Sequence, residues 1–328
     1  MLQKFIDDNT NYIDLLKKYN LSFKKYDNLN LLLIKYKYNS KYDYDKYPWI
    51  RYCKGAIINL NDNKVIMIPP IKSIKIDSID NLDEDLVIEE LFDGVMVNLF
   101  YFNDEWMMST RGSIGGNNKW NSDLSFKEMV DDCHIDCDNL DKSSTYSFLL
   151  KHIKNQTVYP VYKNEMILVE KNNQPVDSIH KYDIKNIFDK IDNIKGYTFK
   201  DLNKNIRYSW INPEYIKIKN LNYNTNNLKE KFIYLYRKNQ LKEYYNYYPN
   251  DIPALNKIKF DYLNFIKNIH QLYLYNYVFK NKTEYPKNYN DLINEIHLYH
   301  KSNKKNIYKN EINIILNNYP IQLLIKLF

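Results

Sequence analysis

"EELFDGVMVNLFYFNDEWMMSTRGSIGG", residues 89–116, is the stretch around which the rest of the chain can be organised. Apolar residues crowd "LVIEELFDGVMVNLFYF" (86–102) and "EWMMSTRG" (105–112), which read as strands broken by turns. The turns are marked by Asp93-Gly94 and by Arg111-Gly112-Ser113, the latter followed by Gly115-Gly116. Asp-Gly occurs once in the chain, and no lysine lies between Lys75 and Lys119. In a chain this rich in lysine, such a gap is worth explaining.

Composition supplies the background. The 328 residues carry 47 Lys and Arg against 40 Asp and Glu, a formal charge of +7, with 33 Tyr. Only four of the basic residues are arginines (51, 111, 207 and 237), and there are two alanines. A bias towards Lys, Asn, Ile and Tyr is what A/T-rich codons produce, so the charge alone is weak support for a polyanion partner. The scarce residues are more informative. Six glycines remain (55, 94, 112, 115, 116 and 196), and none lies in 197–328. Glycine is held where φ is positive or where backbone must approach closely, so the special geometry is expected between 55 and 196. Three cysteines (53, 133 and 137) make no disulfide framework and point to a reducing compartment. Cys133, His134 and Cys137 lack a second ligand pair at zinc-like spacing, so no metal is expected there. The first twenty residues carry charges throughout and no apolar core of a signal peptide. No window approaches the 18 or so uncharged apolar residues of a membrane span.

Along the chain, residues 1–20 read as an amphipathic helix with Leu2, Phe5, Ile6, Tyr12, Ile13 and Leu16 at helical spacing. "LNLLLIKYKYN" (29–39), "KGAIINL" (54–60) and "KVIMIPPIKSIKI" (64–76) read as strands. So do "TYSFLLKHI" (145–153), "VYPVY" (158–162), "MILVEK" (166–171), "KGYTFKD" (195–201), "IRYSWI" (206–211) and "YIKIKN" (215–220). Helices are expected over 122–132 and 180–193. From Asn227 onward apolar residues recur at three and four, as in Leu228, Phe232, Leu235 and in Leu255, Ile258, Tyr262, Phe265, Ile266, Ile269. That spacing predicts helices, interrupted near Pro249, Pro253, Pro286 and Pro320, whose tyrosines are first of all core.

The segments "RYCKGAII" (51–58), "ELFDG" (90–94), "STRGS" (109–113), "YSFLLKHIKNQTVYPVY" (146–162), "IKGYTF" (194–199) and "SWINPEYIKIKN" (209–220) follow one another in order. As a set they resemble the covalent nucleotidyltransferases, specifically the phage-type RNA ligases that repair tRNA. The likeness covers roughly 50–220 and extends weakly through "YYNYYPN" (244–250). It implies an α+β fold: an ATP-grasp-like RNA ligase adenylation (nucleotidyltransferase) domain over 1–220, then an all-helical domain over 221–328. It also implies a chemistry. In the family a lysine amine attacks the α-phosphate of ATP and holds AMP as a phosphoramidate, dividing one hard joining step into two easier ones. Carboxylates hold divalent metals, and lysines of the last motif contact phosphate.

The nucleophile's place is taken by Leu91, a hydrocarbon with no lone pair. The departure is not isolated. Leu149 stands for the glutamate of the Phe-Glu strand, and Lys195 for the glutamate before Gly196. With Pro213-Glu214-Tyr215 as the anchor, Ser209 and Ile211 stand for the two phosphate lysines; a slipped register would instead offer Lys217 and Lys219. Lys54 replaces the arginine of the Arg-Gly start, and Asn155-Gln156 replaces Asn-Arg. Asp93, Gly94, Arg111, Gly112, Ser113 and Gly196 persist as remnants of the nucleotide pocket. The expectation is a pseudoenzyme with no cofactor, retained to bind RNA (with Lys217 and Lys219 as candidate contacts) or a protein partner. Two alternatives stay open. One is an active ligase with a nucleophile relocated to Lys195, which alone would call for ATP and Mg²⁺. The other is a structural subunit of a larger, viral transcription or RNA-processing complex. The expected location is cytoplasmic, in the host cytoplasm or a virion if the source is viral, without membrane attachment.

Overall fold

The computed structural model describes residues 1–38, 40–79, 82, 86–120, 122–176, 193–223, 225, 227–281 and 284–328. It divides into two compact units, Met1–Ile216 and Lys217–Phe328. The helix read over 180–193 lies, up to residue 192, outside the described residues.

The expected N-terminal helix is two: α1 (Leu2–Asp7) and α2 (Tyr12–Lys18). The polar run between them competes for backbone hydrogen bonds, and Asn9 Nδ2 donates to the Phe5 carbonyl at 2.7 Å. Both helices still bury the face read from the sequence, with Leu2, Ile6, Tyr12 and Leu16 in the core. The strands follow: β1 (Leu21–Tyr26), β2 (Leu31–Tyr36), β3 (Ile57–Asn59), β4 (Lys64–Met67), β5 (Ile74–Ile76) and β6 (Val87–Glu90). Then come β7 (Val95–Phe102), β8 (Glu105–Thr110), helix α3 (Phe126–Asp131), β9 (Tyr146–Lys151), β10 (Glu165–Lys171), β11 (Gln174–Pro175), β12 (Gly196–Asp201) and β13 (Ile206–Ile211). Three sheets result, in the orders β1-β2-β3-β4, β11-β10-β9-β7-β8 and β5-β13-β12-β6. The apolar run 64–76 is thus two strands in different sheets, because Pro69 and Pro70 have no N–H to give a ladder. Helix α3 begins at a reciprocal cap between Ser125 and Glu128.

Two strand expectations are corrected. Residues 158–162 form no strand; two of their N–H groups are taken by a carboxylate, described below. "YIKIKN" alternates like a strand but lies in helix α4 (Pro213–Leu221). Proline at the first helical position and Asn212 Oδ1 accepting from Glu214 N at 3.0 Å start a helix there, and they outweigh the period-two pattern.

The second unit is helical: α5 (Leu228–Arg237), α6 (Leu241–Tyr247), α7 (Ile252–Tyr273), α8 (Asn290–Asn303), α9 (Lys309–Asn318) and α10 (Ile321–Leu324). Phe232, Leu235, Leu255, Tyr262, Phe265, Ile266 and Ile269 are buried, as their spacing predicts, whereas Ile258 is half-buried and Leu228, at the start of α5, is exposed. Tyr244 and Tyr262 are core residues, so much of the aromatic richness here is packing. Among the described residues no helix is long and apolar enough to cross a membrane.

Candidate functional site

The site is built where β6 runs out. β6 pairs antiparallel with β12, Glu90 opposite Tyr197 and Glu89 opposite Thr198. One step further the Leu91 N–H donates to the Gly196 carbonyl at 2.9 Å. This puts position 91 beside Lys195 and Gly196. On the far side of β12, β13 sets Ile211 opposite Gly196 and Ser209 opposite Thr198. Gly196 has φ +151°, and a Cβ there would overlap the Trp210 carbonyl oxygen, so no larger residue fits between the strands. Lys195 Nζ donates to the Phe92 carbonyl at 3.3 Å and lies 5.8 Å from the centroid of the Tyr215 ring. Leu91, Lys195, Gly196 and Ile211 are therefore brought together by strand pairing.

Leu149 enters from β9, where it is opposite Met96 of β7 and Ile167 of β10. It is buried in an apolar cluster with Val169, Phe92, Met96, Ile167 and Val176. A carboxylate at 149 would have been desolvated among hydrocarbons, so the leucine suits its surroundings. Gly94 is pressed against the same strand: a Cβ would come within 2.5 Å of the Leu150 carbonyl oxygen.

Asp93 has a structural task. Its Oδ2 accepts from Val158 N at 3.0 Å and Tyr159 N at 3.2 Å, and its Oδ1 from the Tyr215 hydroxyl at 2.6 Å. One carboxylate thus holds the segment after β9 and the first turn of α4. Asn155 and Gln156 are local supports as well, the first donating to the Trp120 carbonyl and the second to that of Val158 at 2.9 Å.

Lys54 belongs to the turn before β3. A Cβ on its neighbour Gly55 would lie 3.3 Å from the Arg111 Cα, which sets this turn against the Arg111-Gly112 turn. Burial, and then the cations Lys72, Arg111, Arg207 and Lys195, push the Lys54 ammonium down to about 8. Burial followed by Lys75 and Arg111 lowers Lys72 as well. Arg111 and Gly112 are exposed, and Gly112 needs neither positive φ nor a close approach. It departs in this from the expectation set for the glycines; the other five all have positive φ. Lys217 and Lys219 are exposed on α4, Lys217 paired with Glu243 at 3.4 Å, so neither sits on the strand that carries Ser209 and Ile211.

A group of buried charges escaped the sequence reading. Lys200 Nζ lies 2.7 Å from Glu89 Oε2 and 3.0 Å from Glu170 Oε1, while Arg207 NH1 donates to Glu170 Oε1 at 2.9 Å. All four residues are buried, on β6, β10, β12 and β13. The visible trace was charges standing inside apolar strands ("VIEE", "LVEK", "TFKD", "IRY"), which strand alternation alone assigns to solvent.

The donor set does not suit a divalent metal. Leu149 and Lys195, the positions that the sequence resemblance assigns to metal carboxylates, carry none, and among the described residues no group of three or more His, Cys, Asp or Glu side chains is placed to hold an ion.

Lys54 offers a thermodynamic reading of the site. Its ammonium is charged below about 8 in the folded chain, against an ordinary value near 10.4 when unfolded. Between these values the unfolded chain binds the extra proton, so this group makes stability rise with pH across that window. Lys54→Met should flatten that rise and, after allowance for solvent screening, stabilise the protein at neutral pH by on the order of 2 kcal/mol. Urea midpoints from pH 7 to 10 read this out, and a midpoint lowered at pH 7 would show that the ammonium has a stabilising partner instead.

No family model matches the chain. Among solved structures it is similar to an ATP-dependent DNA ligase from Aquifex aeolicus, at 18% identity and a TM-score of 0.43, over 80% of this chain and 74% of that one. Two forms of an archaeal ATP-dependent RNA ligase give 12% identity each, with TM-scores of 0.45 and 0.46. These cover 72% and 83% of this chain, and 68% and 83% of theirs. In sequence it is 26% identical over 197 residues to a bifunctional polynucleotide kinase/RNA ligase of Autographa californica nuclear polyhedrosis virus. Part of the chain is thus similar in sequence to a viral RNA ligase. The viral match covers 50% of this chain and only 27% of the relative, so the chain corresponds to about a quarter of that protein. With its three sheets and terminal helices, the chain has a mixed α+β architecture.

Proposed function

We propose that this chain is a catalytically inactive RNA-ligase-like protein that keeps the nucleotidyltransferase fold in order to bind RNA. The observation that carries the reading is the pocket's replacement as a set. Leu91 has no lone pair, Leu149 is packed among apolar side chains, and Ser209 and Ile211 carry no charge. Lys195 donates its amine to the Phe92 carbonyl. The retained motif residues have other employment: Asp93 ties two segments together, while Gly94 and Gly196 let strands approach. A fold needs these residues whether or not any bond is made or broken. The cations around Lys54, and Lys217 and Lys219 on α4, supply the basic character that a polyanion requires.

The test is incubation with labelled ATP or GTP and Mg²⁺ or Mn²⁺, followed by a search for an acid-labile protein–nucleotide adduct. No adduct is expected, nor with Leu91→Lys, because the new ammonium would face Lys195 and still lack carboxylates for metal. Missing electrostatic contacts of this type each reduce rates by on the order of 10²- to 10³-fold. A near-stoichiometric adduct on the natural chain would overturn the reading, and mapping it to Lys195 would establish a relocated nucleophile.

A further inference from the structure

In the second unit, α5, α6, α7 and α9 enclose an open groove of about 540 Å³, a volume within the usual range for small-ligand sites. Its lining has three kinds of chemistry. Tyr236 and Tyr245 offer aromatic rings, Lys242 and Lys259 offer exposed ammonium groups, and Asn313 and Asn317 offer amides one helical turn apart on α9. No acidic side chain lines it among the described residues.

Two details make these more than surface residues. The rings are braced: Tyr236 packs against Phe232 and Tyr262 at centroid distances of 5.4 and 5.3 Å, and the Tyr245 hydroxyl donates to Asn256 Oδ1 at 3.1 Å. Asn313 Oδ1 is buried and accepts no hydrogen bond among the described residues. That atom is closed to solvent, so the amide left to meet a ligand is the exposed Asn317.

We propose that this groove takes a nucleotide of single-stranded RNA, its base against the Tyr236 and Tyr245 rings and its phosphates at Lys242 and Lys259. The inference rests on the reading that the chain binds RNA, and places that binding in the helical unit rather than in the altered ligase pocket. Each part of the lining has a matching part of the ligand. Ring faces stack on any base, lysines neutralise phosphates, and the exposed Asn317 amide can hydrogen-bond a base edge. An unpaired strand is required, since a base inside a duplex presents neither its face nor its Watson–Crick edge.

The experiment measures binding of a fluorescent single-stranded oligoribonucleotide of about eight nucleotides to the full chain across a salt series. Removing two phosphate contacts should reduce the slope of log affinity against log salt by ~1.4 in the Lys242→Ala, Lys259→Ala double variant. Both lysines are exposed, so the fold should be unaffected. Tyr245→Leu should weaken binding roughly tenfold, and a 4-thiouridine probe should cross-link to peptides containing Tyr236 or Tyr245. Duplex RNA of the same sequence should not compete. Binding that is unchanged in these variants but lost in Lys217→Ala, Lys219→Ala would overturn the groove while leaving RNA binding intact. No binding even at about 50 mM salt would remove the RNA reading itself, and the groove proposal with it. If polyglutamate is held by Lys242 and Lys259 and RNA is not, the groove is an acidic-peptide site and the proposal falls.

Discussion

Glu170→Leu destabilises the first unit by about 3 to 5 kcal/mol, the usual range for removing one partner of a buried ion group. Among the described residues, Glu170 is the acid partner of Arg207 and one of two for Lys200. The four residues carry two negative and two positive charges, so the substitution leaves a net cation inside the protein. Lys200 retains Glu89 at 2.7 Å, but Arg207 is left among strands without a carboxylate partner among the described residues. Arg207 Nε and Glu89 Oε1 are already buried without hydrogen-bond partners among the described residues, so the group carries unsatisfied polar atoms before any charge is removed. All four tryptophans (49, 106, 120 and 210) lie in the first unit, so their fluorescence during denaturation reports on it alone. The double variant Glu170→Leu, Arg207→Leu should recover much of the loss, because it removes the stranded charge together with its partner. A loss below about 1 kcal/mol in the single variant, or no recovery in the double, would mean that water reaches these charges and that they are not the buried group described.

That charge group marks a limit of what could be read from the sequence. Strand alternation gave β2, β7, β9, β12 and β13 through their apolar residues, and helical spacing gave the buried residues of α5 and α7. It could not give Glu89, Lys200 and Arg207 as interior residues, because a charged side chain in a strand is ordinarily assigned to the solvent face. The failure at "YIKIKN" has a different source. Period two was present, but Pro213 and the Asn212 side chain act only on a helix start, and they decided the outcome. "VYPVY" failed because its N–H groups meet Asp93, some 65 positions earlier in the chain, and nothing local announces that partner. The candidate site was legible as a list of altered residues and not as an arrangement. That Leu91 lies beside Gly196, and that Lys195 reaches the Phe92 carbonyl, follow from the β6–β12 register. That Lys54 lies among cations depends on turns far apart in sequence.

Asp93 allows the distinction between a residue kept for shape and one kept for chemistry to be measured. Asp93→Ala should cost about 3 to 5 kcal/mol, since it removes the bonds from Val158 N, Tyr159 N and the Tyr215 hydroxyl together, each worth roughly 1.5 to 3 kcal/mol to a charged acceptor and not fully additive. Asp93→Asn should cost much less, about 1 to 2 kcal/mol. Its single carbonyl oxygen can accept from both N–H groups, as Asp93 Oδ2 does, while its amide donates to the Tyr215 hydroxyl, which reverses from donor to acceptor. What is lost is the extra strength of bonds to a charged acceptor. Tyr215→Phe in the natural background should cost about 1 kcal/mol, and little more when combined with Asp93→Ala, because the bond it removes is already gone. A carboxylate retained for reaction would behave otherwise: alanine and asparagine would be equally defective in function, whatever their stability. The ranking Ala worse than Asn worse than Phe, read from tryptophan-monitored denaturation, is the outcome that a purely architectural Asp93 requires. Equal stability of the Ala and Asn variants would show that the three hydrogen bonds do not hold the segment after β9, and would return Asp93 to the list of residues whose persistence needs a ligand.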